Sequence, residues 1–326
     1  MPRSFKFPIT DINNLQMHLY TIGYPTEGEA ILSVICENNK VLFISLTDCY
    51  EHTDNDKNHY NHINPILAEY GNPPINVFIW THPDKDHSVG ITTILERYDP
   101  NHNALVYLPS ALDKDNKFDI CDEAQYAFRY LSTYYNTGRK YNIIPVGLDD
   151  DEARSLCKLQ FEQTSTLRTI TCSFIFLAPF STLLLRRSVK SEKDFVINDM
   201  SIVYAMKFNG FNFLFCGDLA QQSIQFLNNT YLHDMYYIKI PHHGSDQPKG
   251  FIGKIVDNQV ENPVSTTTVF QNNLPRTTIL NEYKKLGYEV YCTGRGNEKF
   301  GCIKTIFNIS DFTKVTSFSG NAYKLE

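Results

Sequence analysis

The 326-residue sequence predicts an α/β fold in which helices cover the sheets. Three observations point to it. Short runs rich in Val, Ile, Phe and Tyr, bounded by Gly, Pro and Asn, recur along the chain as strands do. Segments with helical periodicity fall between them. Three separate strand-like runs each lead into a loop bearing Asp or His, and α/β sheets gather their sites at the carboxyl ends of strands.

Taken in order, strands are predicted over Gln16–Ile22, Ala30–Cys36, Val41–Leu46, Val77–Trp80, Ala104–Leu108, Thr171–Leu177, Ser201–Phe208, Phe211–Cys216, Tyr236–Ile240 and Glu289–Cys292. Asn209-Gly210 separates two of these runs and predicts a tight hairpin. Helices are predicted over Ile63–Tyr70, Ile91–Tyr98, Glu123–Tyr135, Ala220–Leu227 and Thr277–Leu286. The last has Pro275 near its first turn and Gly287 just past its end, the usual placement of these two residues. The chain reads as one domain over 1–326. Its Tyr-rich piece from about Asp113 to Asp151 reads as an inserted helical or lid-like segment.

Composition narrows the function. Hydrophobic content of 42% and charged content of 20% describe an ordinary globular chain, long enough to bury a large core. A net charge of -6 offers no general attraction for nucleic acid, so any phosphate contact has to come from a local site. The eight cysteines form no Cys-x-x-Cys pair, and Cys36 and Cys216 lie inside apolar runs, as small buried hydrophobes of a reducing compartment do. The N-terminus has no apolar core of signal-peptide length, and the longest apolar stretch, Phe174 to Leu185, is too short to span a bilayer. A cytoplasmic protein without membrane attachment is the expectation.

The most informative stretch is Thr81-His82-Pro83-Asp84-Lys85-Asp86-His87, directly after Val77–Trp80. Two imidazoles and two carboxylates on one loop suit zinc, manganese or iron. Phe211–Cys216 leads to Gly217-Asp218, and Tyr236–Ile240 leads to Pro241-His242-His243-Gly244-Ser245. Alone, Asp218 reads as a helix cap and His242-His243 as a pair of loop histidines. Together with His82, Asp84, Asp86 and His87 they read as a metal centre.

These motifs resemble the metallo-β-lactamase superfamily, whose first signature is His-x-His-x-Asp-His after a strand. They are most similar to the branch that includes the soluble hydrolase domain of the ComEC DNA-uptake family. That branch writes His-x-Asp-x-Asp-His, followed by Asn-x-x-Ser, Gly-Asp and Lys-x-Pro-His-His-Gly-Ser. The chain carries His82 to His87, Asn198 to Ser201, Gly217-Asp218 and Lys239 to Ser245 in that order. The resemblance implies a four-layer αβ/βα sandwich with one or two divalent cations, zinc or manganese, at one edge. It implies that His82 and Asp84 hold one ion with a histidine of the His242/His243 pair, that Asp86 and His87 hold the other, and that Asp218 bridges. Asp48 is expected as a hydrogen-bond acceptor behind a ligand, or as a plain turn residue. The chain departs from the pattern at Leu274, where the branch has a histidine for the second ion, so the expectation there is a weak second site, one completed by water, or one filled by a neighbour such as Asn272 or Asn273.

The activity implied is hydrolysis by a metal-activated water, with Asp86 taking the nucleophile's proton and Asp218 between the cations. The branch similarity points to a phosphodiester, with Ser245 and Arg276 orienting its oxygens. The acidic balance favours a single strand, a short oligonucleotide or a nucleotide over duplex DNA. An ester or lactone is the enzymatic alternative. A metal-binding subunit that docks a partner protein is the non-enzymatic one.

Overall fold

A computed structural model describes residues 2–51, 61–110, 112, 120–136, 141–184, 197–255, 258–271, 273–295 and 300–326. The chain opens with β1 (Arg3–Ile9), β2 (Leu15–Gly23), β3 (Glu29–Glu37) and β4 (Lys40–Thr47). Three crossovers follow: α1 (Ile63–Glu69) to β5 (Val77–Ile79), α2 (Ile91–Tyr98) to β6 (Leu105–Pro109), and α3 (Asp122–Asn136) to β7 (Asn142–Val146). A second meander comprises β8 (Arg154–Gln163), β9 (Thr169–Ala178), β10 (Val203–Phe208) and β11 (Phe211–Phe215). It passes through α4 (Gln221–Ile224) to β12 (Met235–Lys239), then to β13 (Val264–Thr267), and through α5 (Thr277–Lys285) to β14 (Glu289–Cys292). β15 (Gly301–Asn308), β16 (Lys314–Gly320) and β17 (Tyr323–Lys324) close the chain.

These strands form two mixed sheets, ordered β16-β15-β2-β3-β4-β5-β6-β7 and β1-β8-β9-β10-β11-β12-β13-β14-β17. Each contains an antiparallel meander that turns parallel, from β4 to β7 in one and from β11 to β14 in the other. Parallel neighbours need crossovers, which is why the helices fall there and cover the outer faces. Ile63, Leu67, Ile91, Leu95, Ala127 and Leu131 of α1–α3 pack on the outer face of the eight-stranded sheet against Leu32, Leu46, Phe78 and Val106. Ile224 of α4 and Ile279, Leu280 and Tyr283 of α5 join the core of the nine-stranded sheet. The inner faces meet through Ile31, Phe43, Ile79 and Phe307 on one side and Phe174, Tyr204 and Phe213 on the other. The result is the four-layer αβ/βα sandwich.

The predicted strands and helices are all present, with two adjustments. The helix expected over Ala220–Leu227 is only the single turn of α4. The strand expected from Ser201 begins at Val203, because Ile197–Met200 forms a 3-10 turn first. The hairpin at Asn209-Gly210 has both residues at positive φ, 48° and 94°, as a two-residue turn matching strand twist requires. Within 113–151 the chain forms α3 and the edge strand β7, and Ala124, Ala127, Leu131 and Val146 are core residues; 113–119 and 137–140 lie outside the described residues. No helix among the described residues is long and apolar enough to cross a membrane.

Candidate metal centre

The parallel strands of both sheets deliver their following loops to one edge of the sandwich. Asp48 follows β4, Thr81 to His87 follow β5, Asp218 follows β11, His242 and His243 follow β12, and Thr268 follows β13. Hydrogen bonds join these loops directly: Ile202 N donates to Thr81 O at 2.9 Å, and His242 N donates to Gly217 O at 3.0 Å. Hydroxyls pin the sheets together beneath them, Thr47 Oγ1 to Tyr204 OH at 2.7 Å and Thr21 Oγ1 to Tyr237 OH at 2.8 Å. The convergence is therefore built into the strand ends and does not depend on one flexible loop.

Asp218 lies among four imidazoles. Its Oδ2 is 3.9 Å from His82 Nε2, 3.8 Å from His242 Nε2 and 3.7 Å from His243 Nε2, and its Oδ1 is 3.5 Å from His87 Nε2. Asp86 Oδ2 stands 2.9 Å from His243 Nε2 and 3.2 Å from His87 Nε2. Asp84 Oδ2 is 3.5 Å from His82 Nε2. The side chains of Asp84 and His242 are 37% and 18% exposed, whereas those of His82, His87 and His243 are essentially sealed, so the first two mark the mouth. Asp86, His87, Asp218 and His243 place one potential ligand atom each within 4.8 Å of one another.

The backbone is held in unusual conformations to achieve this. His242 and His243 both have left-handed φ, 47° and 49°, which costs a residue with a side chain on the order of 1–3 kcal/mol. Two consecutive left-handed residues let neighbouring imidazoles reach one carboxylate. Gly244 follows at φ 77°, where a Cβ would come 2.8 Å from Pro275 Cβ. Glycine is needed there on both counts.

Asp48 serves the histidines from behind. Its Oδ1 accepts from Thr81 N at 2.7 Å, and its Oδ2 accepts from Thr81 Oγ1 at 2.6 Å and from His87 Nδ1 at 2.8 Å. A carboxylate on Nδ1 fixes the ring and leaves Nε2 facing inward. Two further groups, Glu29 and Lys239, were not assigned a role from sequence. Lys239 Nζ lies 2.7 Å from Glu29 Oε2, both fully buried, and Thr268 Oγ1 donates to the same oxygen at 2.8 Å. The signal for Glu29 was a carboxylate heading the wholly buried strand β3, with no nearby cation in the sequence to show its partner.

Among the described residues, three buried polar atoms at the centre, His82 Nε2, His87 Nε2 and Asp218 Oδ1, have no aligned hydrogen bond, only ion-pair contacts of 3.2 Å and longer. Buried polar atoms are almost always paired, and orphans that converge mark a place for a missing group. Electrostatics say the group is a cation. Burial alone would raise the carboxyls of Asp86 and Asp218, yet the neighbouring imidazoles His87 and His243 prevail and hold both below the ordinary carboxylate range. Burial would lower His87, but Asp86, Asp218 and Asp48 push it well above the ordinary imidazole value. His82 is raised as well, burial and His87 being outweighed by Asp84 and Asp218. His242, nearer the mouth, is lowered, chiefly by burial. The donor set of imidazole nitrogen and carboxylate oxygen fits zinc or manganese.

The remaining expected residues are placed as follows. Leu274 is half-buried, and its backbone pairs with Phe270, whose ring stacks on His243 at 5.2 Å and 27°. That position thus holds, through its backbone, a residue that packs against an imidazole. Asn273 is exposed, and Asn272 lies outside the described residues. Ser245 Oγ accepts from Gln247 N at 3.2 Å. Arg276 is exposed at the start of α5, its Nε 3.9 Å from Asp246 Oδ2. Among the described residues, no hydrogen bond or ion pair joins either side chain to the histidine and aspartate cluster.

Comparison with solved structures finds the metallo-β-lactamase fold protein YhfI from Bacillus subtilis, with a TM-score of 0.45 and 11% identity, covering 87% of this chain and 98% of that one. Zn(2+)-bound PqqB from Methylobacterium extorquens aligns with a TM-score of 0.40 and 8% identity, covering 87% of this chain and 99% of that one. No family model matches the sequence, and no curated protein matches it. By the strand order of its two sheets and the helices covering them, the fold is α/β, a four-layer αβ/βα sandwich.

Proposed function

We propose that the protein is a metal-dependent hydrolase and that its substrate is a phosphodiester, a nucleotide or a single-stranded nucleic acid. The observation that carries the reading is the convergence of His82 Nε2, His87 Nε2 and Asp218 Oδ1, buried and with no aligned hydrogen bond among the described residues, beside carboxylates held ionised. A divalent cation held there supplies a water of lowered pKa and offsets charge that builds on the substrate oxygen. Asp86, His87, Asp218 and His243 would hold one ion. His82, Asp84 and His242, with Asp218 shared, form the set for a second. Asp86 faces two imidazoles and accepts the proton of the attacking water as it leaves. His242 and Asp84, at the mouth, meet the substrate first. The phosphodiester class comes from the sequence likeness of Thr81–Gly90 and Lys239–Ser245 to the ComEC-type branch, and Ser245 and Arg276 are proposed to orient its oxygens.

The test is a chromogenic phosphodiester assay on metal-stripped protein reloaded with zinc or manganese. Activity should return with metal and fall about 10²- to 10⁴-fold in Asp86→Ala and Asp218→Ala, with circular dichroism unchanged. Folded variants as active as the parent would refute the assignment. Turnover of an ester or lactone alone would keep the hydrolase and discard the phosphodiester.

A further inference from the structure

Behind the centre, Glu29, Lys239, Thr268 and His243 form a connected chain of buried polar groups. Lys239 Nζ is 2.7 Å from Glu29 Oε2, Thr268 Oγ1 is 2.8 Å from the same oxygen, and His243 Nδ1 is 2.7 Å from Thr268 Oγ1. We propose that Glu29 and Thr268, with Lys239 as counter-ion, are positioning residues that place a proton on His243 Nδ1 and so leave Nε2 as the nitrogen that a divalent cation takes. The inference deepens the metal-centre reading above and rests on it.

The reasoning is a count of protons. A carboxylate paired with a buried ammonium is an acceptor only. Thr268 has a single hydroxyl proton, and its contact with Glu29 commits that proton to the carboxylate. Its remaining contact, with His243 Nδ1, can then be filled only by a proton coming from the ring. Nε2, on the opposite side, hydrogen-bonds Asp86 Oδ2 at 2.9 Å and lies 3.7 Å from Asp218 Oδ2, so it is the nitrogen that points into the cluster, and Phe270 stacked on the ring holds its plane. The other half of the molecule repeats the device. Thr81 Oγ1 donates to Asp48 Oδ2 at 2.6 Å and so accepts from His82 Nδ1 at 3.0 Å, which leaves His82 Nε2 pointing into the cluster. Each half thus sets an imidazole through a threonine whose hydroxyl proton is already committed to a buried carboxylate.

Zinc titration calorimetry on the metal-stripped full chain tests this with Thr268→Val and Thr268→Ser. The valine keeps the shape and loses the relay, so zinc affinity should fall about 10- to 100-fold at one binding step, with circular dichroism unchanged. The serine should restore wild-type affinity. A valine variant that binds zinc like the parent, or a serine variant that fails as the valine does, overturns the proposal. Glu29→Gln should act like the valine where it folds, and Thr268→Val serves if the unpaired Lys239 prevents folding. Imidazole ¹⁵N shifts of the metal-free parent separate the two readings: a proton on His243 Nδ1 supports the relay even if no zinc binds, in which case only the metal reading falls. A bare Nδ1 overturns the relay whatever the metal result.

Discussion

At the scale of single residues, the protein's design is the orientation of imidazoles by groups one layer out. Asp48 shows how much rests on one carboxylate: at φ 57° it receives Thr81 N, Thr81 Oγ1 and His87 Nδ1 together. Asp48→Asn would turn an amide donor towards at least one of those donors. Zinc affinity should then drop about 10- to 100-fold, measured by competition with a chromophoric chelator. Unchanged competition would show that Asp48 is only a turn residue. Glu51 is a residue-scale case with a different consequence. It is buried beneath α1, accepts from Tyr24 OH, His62 N and Ile63 N, and burial raises its carboxyl to about 7 against those hydrogen bonds. Between the ordinary carboxylate value near 4.3 and about 7, the folded protein keeps a proton that the unfolded chain has released. Stability therefore falls as pH rises through that window and levels off above it, by about 4 kcal/mol at most. Urea unfolding at pH 5 and pH 7.5 should show the parent losing stability relative to Glu51→Gln. Parallel pH dependence in the two proteins would contradict the account.

At the scale of elements, the site depends on turns that glycine permits. Gly244→Ala forces a Cβ against Pro275 at a φ of 77°, so the loop carrying His242 and His243 must shift. The expected cost is about 1–3 kcal/mol in stability, from chemical denaturation, with weakened zinc binding. Loss of neither would mean that the loop tolerates the strain. The elements also show what the sequence revealed and what it hid. Central strands such as β3 and β12 were legible because they are nearly unbroken apolar runs, and the Asn209-Gly210 turn because its chemistry is local. β8 was missed although Cys157, Leu159 and Phe161 alternate, because Lys158, Gln160 and Glu162 dilute the run. β13, Val-Ser-Thr-Thr, is buried through hydroxyls that pair across the sheets, so its hydropathy conceals it. β16 is mostly exposed and belongs to a sheet only by its pairing with β15. For the site, the histidines and aspartates announced themselves by their spacing. Glu29 and Thr268 did not, since their partners are set by tertiary packing alone.

At the scale of the whole molecule, two sheets that each turn from antiparallel to parallel bring their strand ends to one edge, and the loops there form a buried, anionic cradle. A cation that binds the folded chain and not the unfolded one stabilises it by mass action, about 2.7 kcal/mol at a hundredfold excess over Kd. Zinc should therefore raise the melting temperature, and a chelator should lower it again. An unchanged melting temperature would argue against a site formed by folding. The departure at Leu274 also finds its explanation at this scale. The strand end of β12 supplies His243 to the set with Asp86, His87 and Asp218, while Phe270, bridged to Leu274, stacks on its ring. The most direct test of the central claim is anomalous diffraction at the zinc edge from crystals soaked in zinc. The account predicts a peak about 2.0–2.2 Å from His87 Nε2, His243 Nε2 and an Asp218 oxygen. Zinc bound only elsewhere on the surface, with this cluster left empty at saturating metal, would contradict it.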